Sequence, residues 1–156
     1  MIISIIVVLF AWGFSFSMYA FSDEACDPYS YPVGCLGQSV EVVSDYGFTP
    51  YARQIDQYSL ISTSPDENPL GLHVVVYVKN EIICAIRYSI STHKYSTSMI
   101  EFDKIKERVV GEYRDFLWVD YSSESSHGAG KMYNDGVTRI NISRASILFV
   151  NLSGCG

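Results

Sequence analysis

The sequence predicts an α+β domain, an antiparallel sheet of four to six strands with one helix packed across one face, and three observations carry that expectation. Residues 72–78 and 81–90 are β-branched and aromatic runs on either side of Lys79 and Asn80, which reads as a hairpin with a two-residue turn. Phe102, Ile105, Val109, Tyr113 and Phe116 recur at spacings of three and four, the stripe of an amphipathic helix. Residues 138–142 and 146–152 form a second strand pair joined through residues 143–145.

The first hairpin assigns faces. With its turn at Lys79 and Asn80, Tyr77, Val75 and His73 lie beside Ile82, Cys84 and Ile86, while Val78, Val76 and Val74 share the other face with Glu81, Ile83, Ala85 and Arg87. The first strand is apolar on both sides and belongs inside the sheet. The helix start is written as a capping box, Ser98 three residues before Glu101. Asp103, Lys104, Lys106, Glu107, Arg108, Glu112 and Arg114 make its solvated face, where an Arg108–Glu112 pair is worth only about 0.2–0.5 kcal/mol. Packing of the stripe on the sheet must therefore hold the helix in place.

The remaining elements are read from turn chemistry and strand composition. Residues 38–43 predict a short strand, and residues 51–60 a helical turn or a strand. Residues 62–69, with two prolines, Asp66 and Asn68, predict a surface loop. Its Asp66-x-Asn68 spacing opens like a calcium loop, but Leu70 stands where the third oxygen ligand belongs. After the helix, residues 117–121 have strand composition, and residues 132–134 lead into an Asp135-Gly136 turn. The last strand is nearly continuous in apolar residues and belongs inside the sheet.

Residues 1–20 contain no Asp, Glu, Lys or Arg and are apolar from Ile2 to Phe16. They read as a signal peptide cleaved near Ala20, or as a membrane anchor if uncleaved, since no Lys or Arg marks the start. Residues 21–156 then form one α+β domain whose first third is irregular. The expected location is periplasmic or secreted. All four cysteines, Cys26, Cys35, Cys84 and Cys155, follow the apolar segment, an even count suited to an oxidising compartment. Of the three pairings, Cys26 with Cys35 and Cys84 with Cys155 is preferred, because Pro28, Pro32 and Gly34 turn the chain between the first two.

A net charge of −6, with 11 Lys and Arg that form no basic stripe in the sequence, argues against nucleic acid as a partner. There is no C-x-x-C, H-E-x-x-H or G-x-S-x-G, and nothing calls for a metal or another cofactor. Asn141 and Asn151 match the N-glycosylation pattern but fall in strands. Of the histidines, His73 sits on a strand and His93 in a connection. His127 stands among serines and glycines in residues 122–131, which combine a base, hydroxyls and flexible backbone.

No catalytic residue is assigned. The candidate binding residues are Tyr29, Tyr31, Tyr46 and Tyr51 from the tyrosine-rich first third, where Tyr58 also lies, together with Ser126, His127 and Lys131. The order hairpin, helix, strand, hairpin, with residues 111–116 ending the helix and residues 135–140 opening the last hairpin, resembles small exported bacterial ββαββ proteins, some of which are periplasmic inhibitors or immunity proteins. The first expectation, by elimination, is an exported non-enzymatic binding protein, a periplasmic inhibitor or immunity protein, because nothing in the sequence assembles a nucleophile, base and oxyanion site. Its partner is expected to be another protein, with a membrane met only through an uncleaved N-terminal segment. The competing expectations are a small secreted hydrolase using His127 and a structural or assembly module of the envelope.

Overall fold

The β-branched runs do form the middle of a sheet, and it is larger than expected. A computed structural model describes residues 26–51, 55, 57–90, 95–115, 117–121 and 130–155; the expectations placed on residues 1–20, His93, Phe116, Ser126 and His127 lie outside the described residues. The strands are β1 (Thr49–Pro50), β2 (Ser59–Thr63), β3 (His73–Lys79), β4 (Ile82–Ser89), β5 (Val119–Tyr121), β6 (Gly130–Asn134), β7 (Thr138–Ile142) and β8 (Ser146–Asn151). They make one antiparallel sheet of eight strands in the order β1-β2-β3-β4-β8-β7-β6-β5, where four to six were expected. The strand expected at residues 117–121 is present as β5, whereas the short β1 at the opposite edge was not expected. Its two residues carry too little pattern to be read locally, and it pairs because the longer β2 offers its edge.

Two four-strand meanders therefore meet at β4 and β8. The helix α2 (Tyr95–Glu112) carries the chain from β4 near the middle to β5 at the far edge, and β6, β7 and β8 return step by step. Both β3 and β8 lie inside the sheet, as their apolar composition requires.

The β3–β4 hairpin corrects the expected face assignment. Its turn residues are Asn80 and Glu81, with φ of 51° and 65°, the positive pair that a type I′ turn demands. Shifting the turn by one residue slides the pairing yet keeps the faces near it. A bulge at Cys84 does change them: Val78 faces Ile83, but Tyr77 faces Ala85, so the alternation inverts beyond this point. Ile86 and Tyr88 consequently join Val74, Val76 and Val78, while Ala85 and Arg87 turn to the other side with Tyr77 and Val75.

The helix covers the first of these faces. Phe102, Ile105 and Val109 are buried against Val74, Val76, Ile86, Tyr88, Ile140, Ile147 and Phe149, and Tyr113 packs at the margin. Ser98 is not the cap that was expected, because the helix already runs from Tyr95 and places Ser98 within its first turn. Its solvated side carries the expected Arg108–Glu112 pair at 3.7 Å.

The irregular first third packs on the same core. Pro32–Cys35 is a single helical turn, α1, and Cys35 is bonded to Cys26; Cys84 is bonded to Cys155, so both preferred pairings are present. Residues 37–40 continue along β4 where β8 has ended, with Gly37 N–H donating to Ile83 O and Ile83 N–H to Gln38 O. The predicted strand at residues 38–43 is instead a single bridge at Ser39 followed by a 3₁₀ helix, Val40–Tyr46. Val40, Val43 and Tyr46 recur every third residue, the period of that helix, and all three meet the core. Asn68 binds Thr63 Oγ1, Ser64 O and Leu72 O through its side chain, which makes it the clamp of the loop after β2.

Candidate functional site

On the sheet face turned away from α2, alternation places a different set of side chains. Tyr77 and Arg87 come from β3 and β4, Leu148 and Val150 from β8, and Arg139 and Asn141 from β7. The register sets Arg87, Leu148 and Asn141 in one row across three strands, and Ala85, Val150 and Arg139 in the next. The Arg87 guanidinium lies 5.6 Å from the centre of the Tyr77 ring, which meets Tyr58 edge-on at 6.4 Å. One end is closed by the Cys84–Cys155 disulfide, where Tyr58 Oη donates to Cys155 O at 2.8 Å. Together these groups line a groove of about 550 Å³.

The groove holds polar atoms without partners. Arg87 Nε, Arg139 Nε and Asn141 Oδ1 are buried and make no hydrogen bond. Leaving such a group unsatisfied costs about 1–3 kcal/mol, more where it is charged. The lining contains these two guanidinium groups and no carboxylate, in a protein whose net charge is −6. Neither arginine belongs to an ion pair among the described residues. Toward the β1 edge, burial and the nearby Arg87 charge hold the His73 imidazole below its ordinary pKa, and its ring sits 5.6 Å from that of Tyr51.

The expected binding residues that are described separate into four places. Tyr51 lies on this face beside His73, as does Tyr58 at the groove. Tyr29 is not available as an interface anchor: it is buried in the core, stacks on Phe48, and donates its hydroxyl to Tyr46 O. Tyr46 and Tyr31 are half-buried and line a hollow beside Cys26 and Glu112, with Tyr46 Oη donating to Cys26 O. Lys131 stands elsewhere, in a groove of about 620 Å³ between the end of α2 and the β6–β7 edge; Ser126 and His127 lie outside the described residues.

That second groove gathers Lys106, Arg114, Lys131 and Arg144, which no sequence run foretold. Its charge is partly answered: Lys106 pairs with Asp103 at 2.6 Å, Arg114 with Asp115 at 3.9 Å, and Glu107 also lines it. Among the described residues no group of three or more His, Cys, Asp or Glu side chains has the geometry to hold a metal ion. No helix among them is long and apolar enough to cross a membrane. Asn151, one of the two glycosylation-pattern residues, is engaged by Ser153 and Gly154 N–H groups, and the other, Asn141, lies in the 550 Å³ groove.

Arg87, Arg139 and Asn141 were missed as site residues. Arg139 and Asn141 alternate with Ile140 and Ile142, so the sequence does place them on one face, where they read as the wet side of a strand. Nothing local says that β8 will bring β4 beside them, or that the Cys84 bulge will turn Arg87 the same way. Comparison of the chain with protein families, with curated proteins and with solved structures finds no match.

Proposed function

We propose that this is an exported, non-enzymatic binding protein that acts through contact with another protein, in the manner of a periplasmic inhibitor or immunity protein, and that the sheet face opposite α2 is its contact surface. The observation that carries the proposal is the set of buried, unpartnered atoms on Arg87, Arg139 and Asn141. Such groups are completed by water, by an ion or by a binding partner, and the charge and shape of this groove favour a partner. Tyr and Arg, the residue types that dominate binding energy at protein interfaces, are the ones this face displays. Two disulfides and an uncharged apolar N-terminal segment support export to an oxidising compartment. Against hydrolysis in this groove, its two serines, Ser143 and Ser146, hydrogen-bond to each other and no histidine or carboxylate lines it.

The test is site-specific photo-crosslinking in the source cell with a benzophenone side chain at position 148, in the groove, or at position 104, on the exposed side of α2. A discrete adduct from position 148, absent from position 104 and reconstituted with the purified partner, is the expected result. Adducts from position 104 alone would move the contact surface to the helix and overturn the proposal.

A further inference from the structure

We infer that the groove takes an extended acidic segment of a polypeptide, with carboxylates at alternate positions meeting Arg87 and Arg139 and a backbone N–H meeting Asn141 Oδ1. The inference rests on the contact surface proposed above and names the chemistry of its occupant. The charge argument is direct: two guanidinium groups face the groove, each with a buried Nε lacking an acceptor, and no lining carboxylate answers them. A planar guanidinium bonds a carboxylate through two parallel N–H groups, so an acidic side chain satisfies the orphaned donor in the geometry it prefers.

The register sets the spacing. Arg87 is paired with Leu148 and Arg139 with Val150, so the two arginines flank β8 at positions two residues apart. An extended chain laid along β8 repeats its same-face side chains every second residue, roughly 6.6–6.8 Å, and offers acidic groups at i and i+2 to the two flanks in turn. Leu148 and Val150, half-exposed between the arginines, supply an apolar floor for the segment's own side chains. Asn141 adds a hydrogen-bond acceptor in the Leu148 row that a backbone N–H can meet and acetate cannot, and the acetate arm of the test separates a polypeptide from a small anion.

The experiment follows the Arg87 and Arg139 Nε–H resonances in ¹H–¹⁵N spectra of the oxidised protein. The probes are a pool of apolar heptapeptides with Asp at positions 3 and 5, the matched pool with Asn at those positions, and sodium acetate at equal carboxylate concentration. The expected result is that only the Asp pool moves both resonances. Its affinity should fall about tenfold or more in Arg87→Gln and in Arg139→Gln, the fold-change for loss of one charge-assisted hydrogen bond. Arg87→Lys, which keeps the charge and loses the planar fork, should fall between, and thermal melts establish that each variant is folded.

Equal shifts with the Asn pool would overturn the acidic chemistry while leaving the surface engaged by peptide. Equal shifts with acetate would make this a small-anion site and overturn the polypeptide. No shift with any probe would also defeat the inference. The crosslinking at position 148 decides the contact surface independently, so failure of one is distinguishable from failure of the other.

Discussion

The two faces of the sheet are built from the same strands and differ in how completely their polar atoms are satisfied. On the α2 side, Tyr88 Oη donates to Pro28 O at 2.6 Å, Tyr29 Oη to Tyr46 O, and Tyr133 Oη to Asp135 Oδ2, so each buried tyrosine on that core has its partner. Burial raises the Tyr88 pKa far above its ordinary value, and burial with the Asp135 hydrogen bond pushes that of Tyr133 up to about 12. These hydroxyls stay protonated donors at any physiological pH. On the opposite side, two arginines and an asparagine stand with buried atoms unanswered. One face has its buried polar atoms satisfied by folding alone, and the other does not.

The largest expected effect lies on the satisfied face. Phe149 is fully buried and meets Tyr88 edge-on at 5.4 Å, so Phe149→Ala should cost about 3–5 kcal/mol in urea unfolding. Leu148→Ala, one residue away on the half-exposed groove floor, should cost well under half of that. Similar losses would mean that both faces are equally packed.

Next come the disulfides. By loop entropy, removing Cys84–Cys155, which spans 71 residues, should cost about 4 kcal/mol, against about 2.5 kcal/mol for Cys26–Cys35, which spans nine. Paired Cys→Ser variants compared by thermal unfolding test the order. Only the first pair closes an end of the groove, so only its removal should also weaken a partner complex.

In the groove itself the expected effect falls on binding. Arg87→Met removes the unpaired buried Nε together with the guanidinium contact to the Tyr77 ring and keeps an unbranched stem, and should leave stability within about 1 kcal/mol while weakening binding about tenfold or more. Destabilisation beyond about 1 kcal/mol would make Arg87 a structural residue.

The smallest effect is in pH. His73 has its pKa lowered in the fold by burial and Arg87, so between that value and the usual 6.5 the unfolded chain holds more protons than the folded one. Stability should therefore decline as the pH falls from about 6.5 through that window, and flatten below it. For Asp27, burial acting to raise the pKa is outweighed by hydrogen bonds from Ser30 and Tyr29, and its net lowering moves its loss to below 3.8. His73→Gln should remove the upper slope and spare the lower; persistence of both would assign the upper slope to another group.

How much of this was readable follows from the range of each signal. The α2 stripe, the Asp135-Gly136 turn and both disulfides rest on spacings or turn chemistry within reach of a local reading, and Phe102, Ile105 and Val109 are buried as their period requires. The Cys84 bulge has no local mark: one extra residue within an apolar run leaves the run unchanged and inverts every face beyond it. The groove was hidden for the same reason. Arg87 and Arg139 are 52 positions apart in the chain and become neighbours only across β8. Tyr29 misled in the other direction, since a tyrosine in an irregular segment reads as a displayed ring, and the core contact with Phe48 that buries it is not local.

The position of β8 also governs when the molecule can assemble. It follows every other strand in the chain yet lies between β4 and β7, so neither meander has its inner neighbour until residues 146–151 have emerged. The β4–β8 pairing joins segments about 60 residues apart, and such non-local pairing is slow to form compared with hairpins and helices. Before then the chain can hold its turns and the hairpins of β1–β4, but not the pairing that joins the two halves of the sheet. Closure of the sheet therefore waits for the last strand of the chain to arrive between two that are already made.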